Sequence, residues 1–381
     1  MKKIAKMSLV AAMAISGLTS ASAADLTEAI KGVKISGFVS YTMEKVNNAK
    51  ITAAGATKGQ YSSDKSEAQH DIDVRIQAVI PVNDMVTATI RLDEANDDDT
   101  DATGSAAVDS NSLRLELDRV YFTYKNAKFS TSFGLMQVPL TDAAQGDGIT
   151  ASYDFGAAKV NAGYFYTTAE GSDEVAFISV AGSIAPVSYY ATYASVLDAD
   201  ATTTGNRNGT TDDNKGNFLH LGVSGNIEMI SLALDYSQKT DLSTGNEDQN
   251  QYKVSVGADL GMVTLGLAYA ANDKDGGNTL VDGSDVAASE ISVGDLELHG
   301  LGDASAIQAS VSVDVNATNN VKLVYAAADV EGTNMDQDVI KVTYTNMMSK
   351  NFSVYANYEI NDKDSSDDKM TELTLGAKYS F

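Results

Sequence analysis

From Gly32 onward the chain alternates apolar and polar residues in segments of about ten, the period of a strand with one apolar face. The cleanest segment sets Ile72, Val74, Ile76, Ala78 and Ile80 against Asp71, Asp73, Arg75 and Gln77. Pro81-Val82-Asn83-Asp84 turns it, and Val86, Ala88, Ile90 and Leu92 answer, with Thr87, Thr89, Arg91 and Asp93 on the other face. Strand starts fall near residues 33, 69, 84, 112, 127, 149, 159, 174, 187, 217, 229, 250, 262, 304, 320, 338, 352 and 369. This predicts 18 strands, with 16 as the alternative because residues 174–197 are weakly patterned. The alternation slips phase at Asp118-Arg119, which predicts a β-bulge. Connections are alternately very short and long, and Pro81, Pro139 and Pro186 all fall in them.

No segment carries enough consecutive apolar residues for a membrane-spanning helix. Alternation of this kind instead predicts an all-β, antiparallel, transmembrane β-barrel, in which every second residue meets lipid. Short turns then face the periplasm, and the long acidic connections face outward. Lys2, Lys3 and Lys6, an apolar run from Met7 to Leu18, and Ala21-Ser22-Ala23 read as a signal peptide. We expect cleavage between Ala23 and Ala24, leaving 24–381 as a single barrel domain in the outer membrane of a Gram-negative bacterium. The final strand alternates Leu373, Leu375, Ala377, Tyr379 and Phe381 against polar residues. Its Gly376, Tyr379 and Phe381 resemble the signal read by the barrel-assembly machinery, an implied partner during biogenesis.

Charge narrows the function. With 52 acidic and 27 basic residues the net charge is −25, which argues against nucleic acid and favours cations in any pore. The absence of cysteine removes disulfides, thiol nucleophiles and Cys-based zinc sites. The three histidines, His70, His220 and His299, have no activated serine beside them in the sequence, although His220 and Ser224 share a strand face. No enzyme is expected. Asp97-Asp98-Asp99 with Asp101, and Asp273-Lys274-Asp275-Gly276-Gly277-Asn278, are acidic enough for loop-bound Ca2+ but lack the acid that closes an EF-hand loop. They read better as solvated loops facing lipopolysaccharide, and no cofactor is expected.

Four of the five arginines fall in strands two to four, and alternation turns Arg75, Arg91 and Arg119 inward. Beside them lie Asp71, Asp73, Asp93 and Asp118, which could pair with them along the wall. The stretch from Asp118 to Gly156 resembles the region of general porins that carries the loop after strand five. That likeness implies that residues 137–148 fold into the barrel, setting Asp142 and Asp147 against the basic wall. The segment Leu26-Thr27-Glu28-Ala29-Ile30-Lys31-Gly32-Val33-Lys34-Ile35-Ser36-Gly37 is similar to the mature start of the Campylobacter-type major outer membrane porins. Their likeness implies a homotrimer of 18-stranded, cation-preferring channels. The expected function is a water-filled passive channel for cations and small hydrophilic solutes. The alternative is an adhesin or surface-antigen barrel that binds through its loops. Small inward residues such as Ser130, Ser132, Thr150, Ser152, Gly257, Ser310 and Thr343 leave room for water and favour the channel.

Overall fold

Strands follow one another up and down and close into a ring. The computed structural model describes residues 32–47, 67–94, 115–141, 144–168, 174–198, 216–241, 247–277, 279–281, 288–294, 296–298, 301–332, 335–363 and 369–381. The expected cleavage site, Asp97–Asp101, Arg114, Asp142 and His299 lie outside them. The strands are β1 (Lys34–Asn47), β2 (Glu67–Pro81), β3 (Val86–Glu94), β4 (Leu115–Lys125), β5 (Phe129–Gln137), β6 (Gln145–Asp154), β7 (Ala158–Thr168), β8 (Glu174–Ile184) and β9 (Val187–Asp198). They continue as β10 (Gly216–Ile227), β11 (Ile230–Asp241), β12 (Gln249–Asp259), β13 (Val263–Asn272), β14 (Ala304–Asn316), β15 (Asn319–Val330), β16 (Gln337–Ser349), β17 (Phe352–Lys363) and β18 (Met370–Ser380). Each pairs antiparallel with its sequence neighbours, and β1 pairs with β18 to close an 18-stranded barrel. The 16-strand alternative falls, because β8 and β9 form a full ladder from Ile184↔Val187 to Glu174↔Asp198.

Several of the short turns share one device. A side-chain oxygen at the strand end accepts backbone N–H groups two or three residues on, which replaces lost ladder bonds. Asn83 takes Met85 and Val86 at 2.9 Å, and Asn126 takes Phe129 at 3.0 Å. Asp154 takes Gly156 at 2.7 Å and Asp259 takes Gly261 at 2.9 Å, both glycines lying at positive φ. These compact turns mark one rim as the periplasmic end.

The outer face carries the lipid-facing set, with Val39, Tyr41, Phe133, Ile149, Leu267, Ile307, Tyr344 and Tyr358 all exposed. The phase slip in β4 is a register shift against β3, where Asp118 is left without a ladder partner between Leu117 and Arg119. Inside the barrel, Tyr355 of β17 lies flat across Gly376 of β18 to reach Thr42 of β1, 2.9 Å from its hydroxyl. A Cβ on Gly376 would overlap that ring, so only glycine fits. Gly376→Val is therefore expected to break the tie and destabilise the barrel by about 1–3 kcal/mol. The check is the temperature at which the folded band is lost on semi-native gels; an unaltered temperature would show the ring has space to move.

Candidate functional site

Ladder pairing fixes the lumen face. Arg75, Arg91 and Arg119 point inward from β2, β3 and β4, and they are joined into one network. Arg75 pairs with Asp93 at 2.7 Å, and Arg91 contacts Asp93 at 3.3 Å and also Asp118. Arg119 lies 3.3 Å from Asp118 and donates to Gln137 at 2.9 Å, while Gln145 donates to Asp118. The bulge makes this possible, because the extra residue brings Asp118 beside two arginines that regular alternation would keep from it. Arg91 and Asp118 are buried, at 8 % exposure each. Removing one partner of such a pair costs about 3–5 kcal/mol, so the network is rigid as well as charged. Asp71 and Asp73 stand outside it: Asp73 accepts from Ser40 at 3.5 Å, and Asp71 is exposed.

The stretch 137–148 is not one long loop. Gln137 closes β5, and Gln145, Gly146, Asp147 and Gly148 open β6, paired with Gln137, Met136, Leu135 and Gly134. Only residues 138–144 connect the strands. Asp147 shares the alternation phase of the exposed Ile149, the outward face, which does not bring it to the arginines. Gly146-Asp147-Gly148 reads locally as a turn, but two neighbouring strands offer its backbone a ladder, and pairing prevails.

The segment that enters the lumen joins β13 to β14. Its Ile291, Val293, Leu296 and Leu298 are buried against Ala270, Ala304, Ala306, Val324, Ala326 and Val339. Those wall residues occupy the opposite phase from the exposed Tyr269, Ile307, Leu323, Tyr325 and Ile340, so the segment packs on the inner surface. Its other arm places Val281 among Met136, Val138, Phe165, Val175, Val196 and Phe218, and Val281 N–H donates to the Leu140 carbonyl at 2.8 Å. Thus it meets the β5–β6 connection inside the barrel.

Polar ties fix its path. Thr279 donates to Ser237 at 2.7 Å, Ser289 contacts Ser237 at 2.5 Å and donates to Gln251 at 2.9 Å, and Lys253 donates to the Glu290 carbonyl at 2.8 Å. Val293 and Leu296 form an isolated antiparallel bridge, and Gly294, at φ 62°, packs on Glu359 of β17, which pairs with Lys341 at 3.1 Å. Full burial of a large apolar side chain stabilises by about 1.5–3 kcal/mol, so the four on β13–β16 amount to roughly 6–12 kcal/mol at most. That is many times thermal energy, and the segment is a fixed part of the wall.

This segment is not legible from local composition, because its acidic, glycine-rich residues suit a solvated loop. The available signal was its spaced Ile291, Val293, Leu296 and Leu298, matched by an apolar inner phase at the ends of β13–β16. At its start Asp273 accepts from Asn250 and from the Asp275 N–H at 3.2 Å, and Lys274 pairs with Asp275 at 2.8 Å.

A third polar group lies across the barrel from the arginines. Tyr190 crosses Gly222 to donate to Asp235 at 2.6 Å, with His220 Nε2 3.0 Å from the same hydroxyl. His220 is thereby engaged with a tyrosine and not with Ser224.

Together these features describe a barrel whose lumen is partly filled from the extracellular side, with a charged wall on β2–β4. Among solved structures the chain resembles OpdQ of Pseudomonas aeruginosa, at 12% identity and a TM-score of 0.64 over 93% of this chain and 99% of that one. It also resembles a BenF-like porin from Pseudomonas fluorescens Pf-5, at 8% identity and 0.65 over 92% and 99%, and Pseudomonas aeruginosa OccK9 (OpdG), at 12% and 0.65 over 93% and 99%. At such identities the likeness is one of fold. No curated protein matches the sequence. Residues 8–368, however, match the profile of the Gram-negative porins, through every strand but the last. The chain therefore belongs to the Gram-negative porin family, which makes it a channel-forming barrel of the outer membrane.

Proposed function

We propose that this porin is a passive, water-filled channel that prefers cations and admits small hydrophilic solutes. The observation that carries the reading is the lumen wall of β18, β1 and β2, where Glu372, Glu44, Asp71 and Asp73 face the passage. Fixed carboxylates in a confined, low-dielectric passage raise the local cation concentration. The chain's charge of −25 adds to the same field. The proposal includes neither a cofactor nor a catalytic group. Export behind a leader cleaved at Ala23–Ala24, one barrel domain from Ala24, and trimeric assembly belong to the same proposal. So does kinship with the Campylobacter-type porins, which the segment from Leu26 to Gly37 supports.

The test is the reversal potential of purified protein in planar bilayers under a KCl gradient. The sign for cation preference is expected, and the anion sign would overturn the reading. Arg75→Ala with Arg119→Ala should shift the potential further toward cations, because Asp93 and Asp118 lose positive neighbours. An unchanged potential would mean that these arginines serve the wall and do not face the ion path.

A further inference from the structure

We propose that the lumen holds a binding site for small zwitterions, solutes of the amino-acid class that carry an ammonium and a carboxylate close together; this rests on the channel reading above. Neither apolar cluster inside the barrel includes a residue of β18, β1 or β2. The inner face of these strands is open, with Asp71 and Lys378 exposed and Asp73 half-buried.

One rung of that face carries both signs of charge. Ser40 of β1 stands opposite Lys378 of β18 on one side and Asp73 of β2 on the other. Residues directly opposite share a face, so all three side chains point inward. Two strand spacings set the Cα atoms of Lys378 and Asp73 about 10 Å apart. Lys378 acts electrostatically on Asp73, but its ammonium is held over the Phe38 ring, 3.8 Å from the ring centre. Arg75, the other cation at this ring, is committed to Asp93 at 2.7 Å. Between the two charges lies the Ser40 hydroxyl, which donates to Asp73 at 3.5 Å.

Opposite charges held apart across a serine select for a solute that carries both. A lone cation gains Asp73 but is repelled by Lys378. A lone anion gains Lys378 but is repelled by Asp73 and by Asp71 one rung above. A zwitterion turned the right way gains at both ends, and in a confined, low-dielectric passage each contact is worth more than in water. Contacts of about 2.8 Å at both ends leave room for a short solute between them.

The experiment uses the full chain in planar bilayers at neutral pH and about 0.1 M KCl, with 3-aminopropanoate as the probe. Transient interruptions of the single-channel current are expected, more frequent as the probe concentration rises. Propanoate and propylammonium, each with one of the two charges, should need about tenfold more for the same block. Asp73→Asn and Lys378→Gln should each raise the half-blocking concentration of the zwitterion about tenfold, as the loss of one charge-assisted contact. Asp73 lies outside the terminal strand, so its variant covers the case in which Lys378→Gln fails to assemble. At about 1 M KCl, where the Debye length is about 3 Å, the block should weaken. Channels that the zwitterion leaves uninterrupted, equal block by propylammonium, or block that both variants leave intact would overturn the proposal. Block with an anion-sign reversal potential would sink the cation preference and sustain the site, whereas failure to form channels would sink both.

Discussion

Leu296→Asp combined with Leu298→Asp is expected to raise single-channel conductance severalfold. Both side chains have no solvent exposure and pack on the alanine and valine wall of β13–β16. A carboxylate there is buried without a partner, at a cost of several kcal/mol for each. Two such costs, together with the apolar burial that the leucines supplied, are comparable with the roughly 6–12 kcal/mol that holds the segment. It should leave the wall, whereas the ladder hydrogen bonds that maintain the barrel lie elsewhere. Conductance follows the cross-section of the narrowest point, so clearing the lumen registers directly in bilayer recordings. The folded, heat-modifiable form confirms that the barrel survives. Wild-type conductance in a variant that folds would mean that the segment does not narrow the ion path.

The barrel was legible in the sequence because lipid imposes a period of two wherever a strand crosses it. Strand starts for β8, β9, β14 and β17 coincide with those read from the alternation, and the bulge at Asp118 announced itself as a phase slip. Legibility failed where the lumen is not wet. Val175, Phe177, Ala194 and Val196 face inward on β8 and β9, yet they are apolar because they pack on a cluster inside the barrel. With both faces apolar the alternation blurs, which is why residues 174–197 left the strand count open. The same cause concealed the inner segment, since what folds into a lumen is decided by the inner faces of distant strands. Arg75, Arg91 and Arg119 were readable as inward-facing, but their partners were only partly so. Asp93, two residues from Arg91 in the same phase of β3, joins them by regular alternation and Asp118 joins them through the bulge, while Asp71 and Asp73, equally near in sequence, stay outside the network.

Deleting Phe381 is expected to reduce folded barrel in the membrane to a small fraction of the wild-type level. Its backbone closes the ring: Phe381 N–H donates to the Gly37 carbonyl at 3.0 Å, and Gly37 N–H donates to the Phe381 carbonyl at 3.1 Å. Its ring covers Gly37, where a Cβ would stand 2.9 Å from the ring edge, and it stacks on Tyr379 with centroids 6.1 Å apart. The β1–β18 seam joins strands far apart in sequence, so it carries the largest loop-closure cost of any pair. Losing two backbone hydrogen bonds and an aromatic there removes about 2–4 kcal/mol from the contact that closes the barrel. Phe381→Asp adds a charge at the lipid boundary and should be at least as damaging, whereas Phe381→Tyr keeps the ring and the backbone bonds and should assemble normally. Protease resistance and heat-modifiable mobility of membrane fractions distinguish the cases. Wild-type amounts of folded barrel in the deletion variant would mean that β1 and β18 close without their last residue.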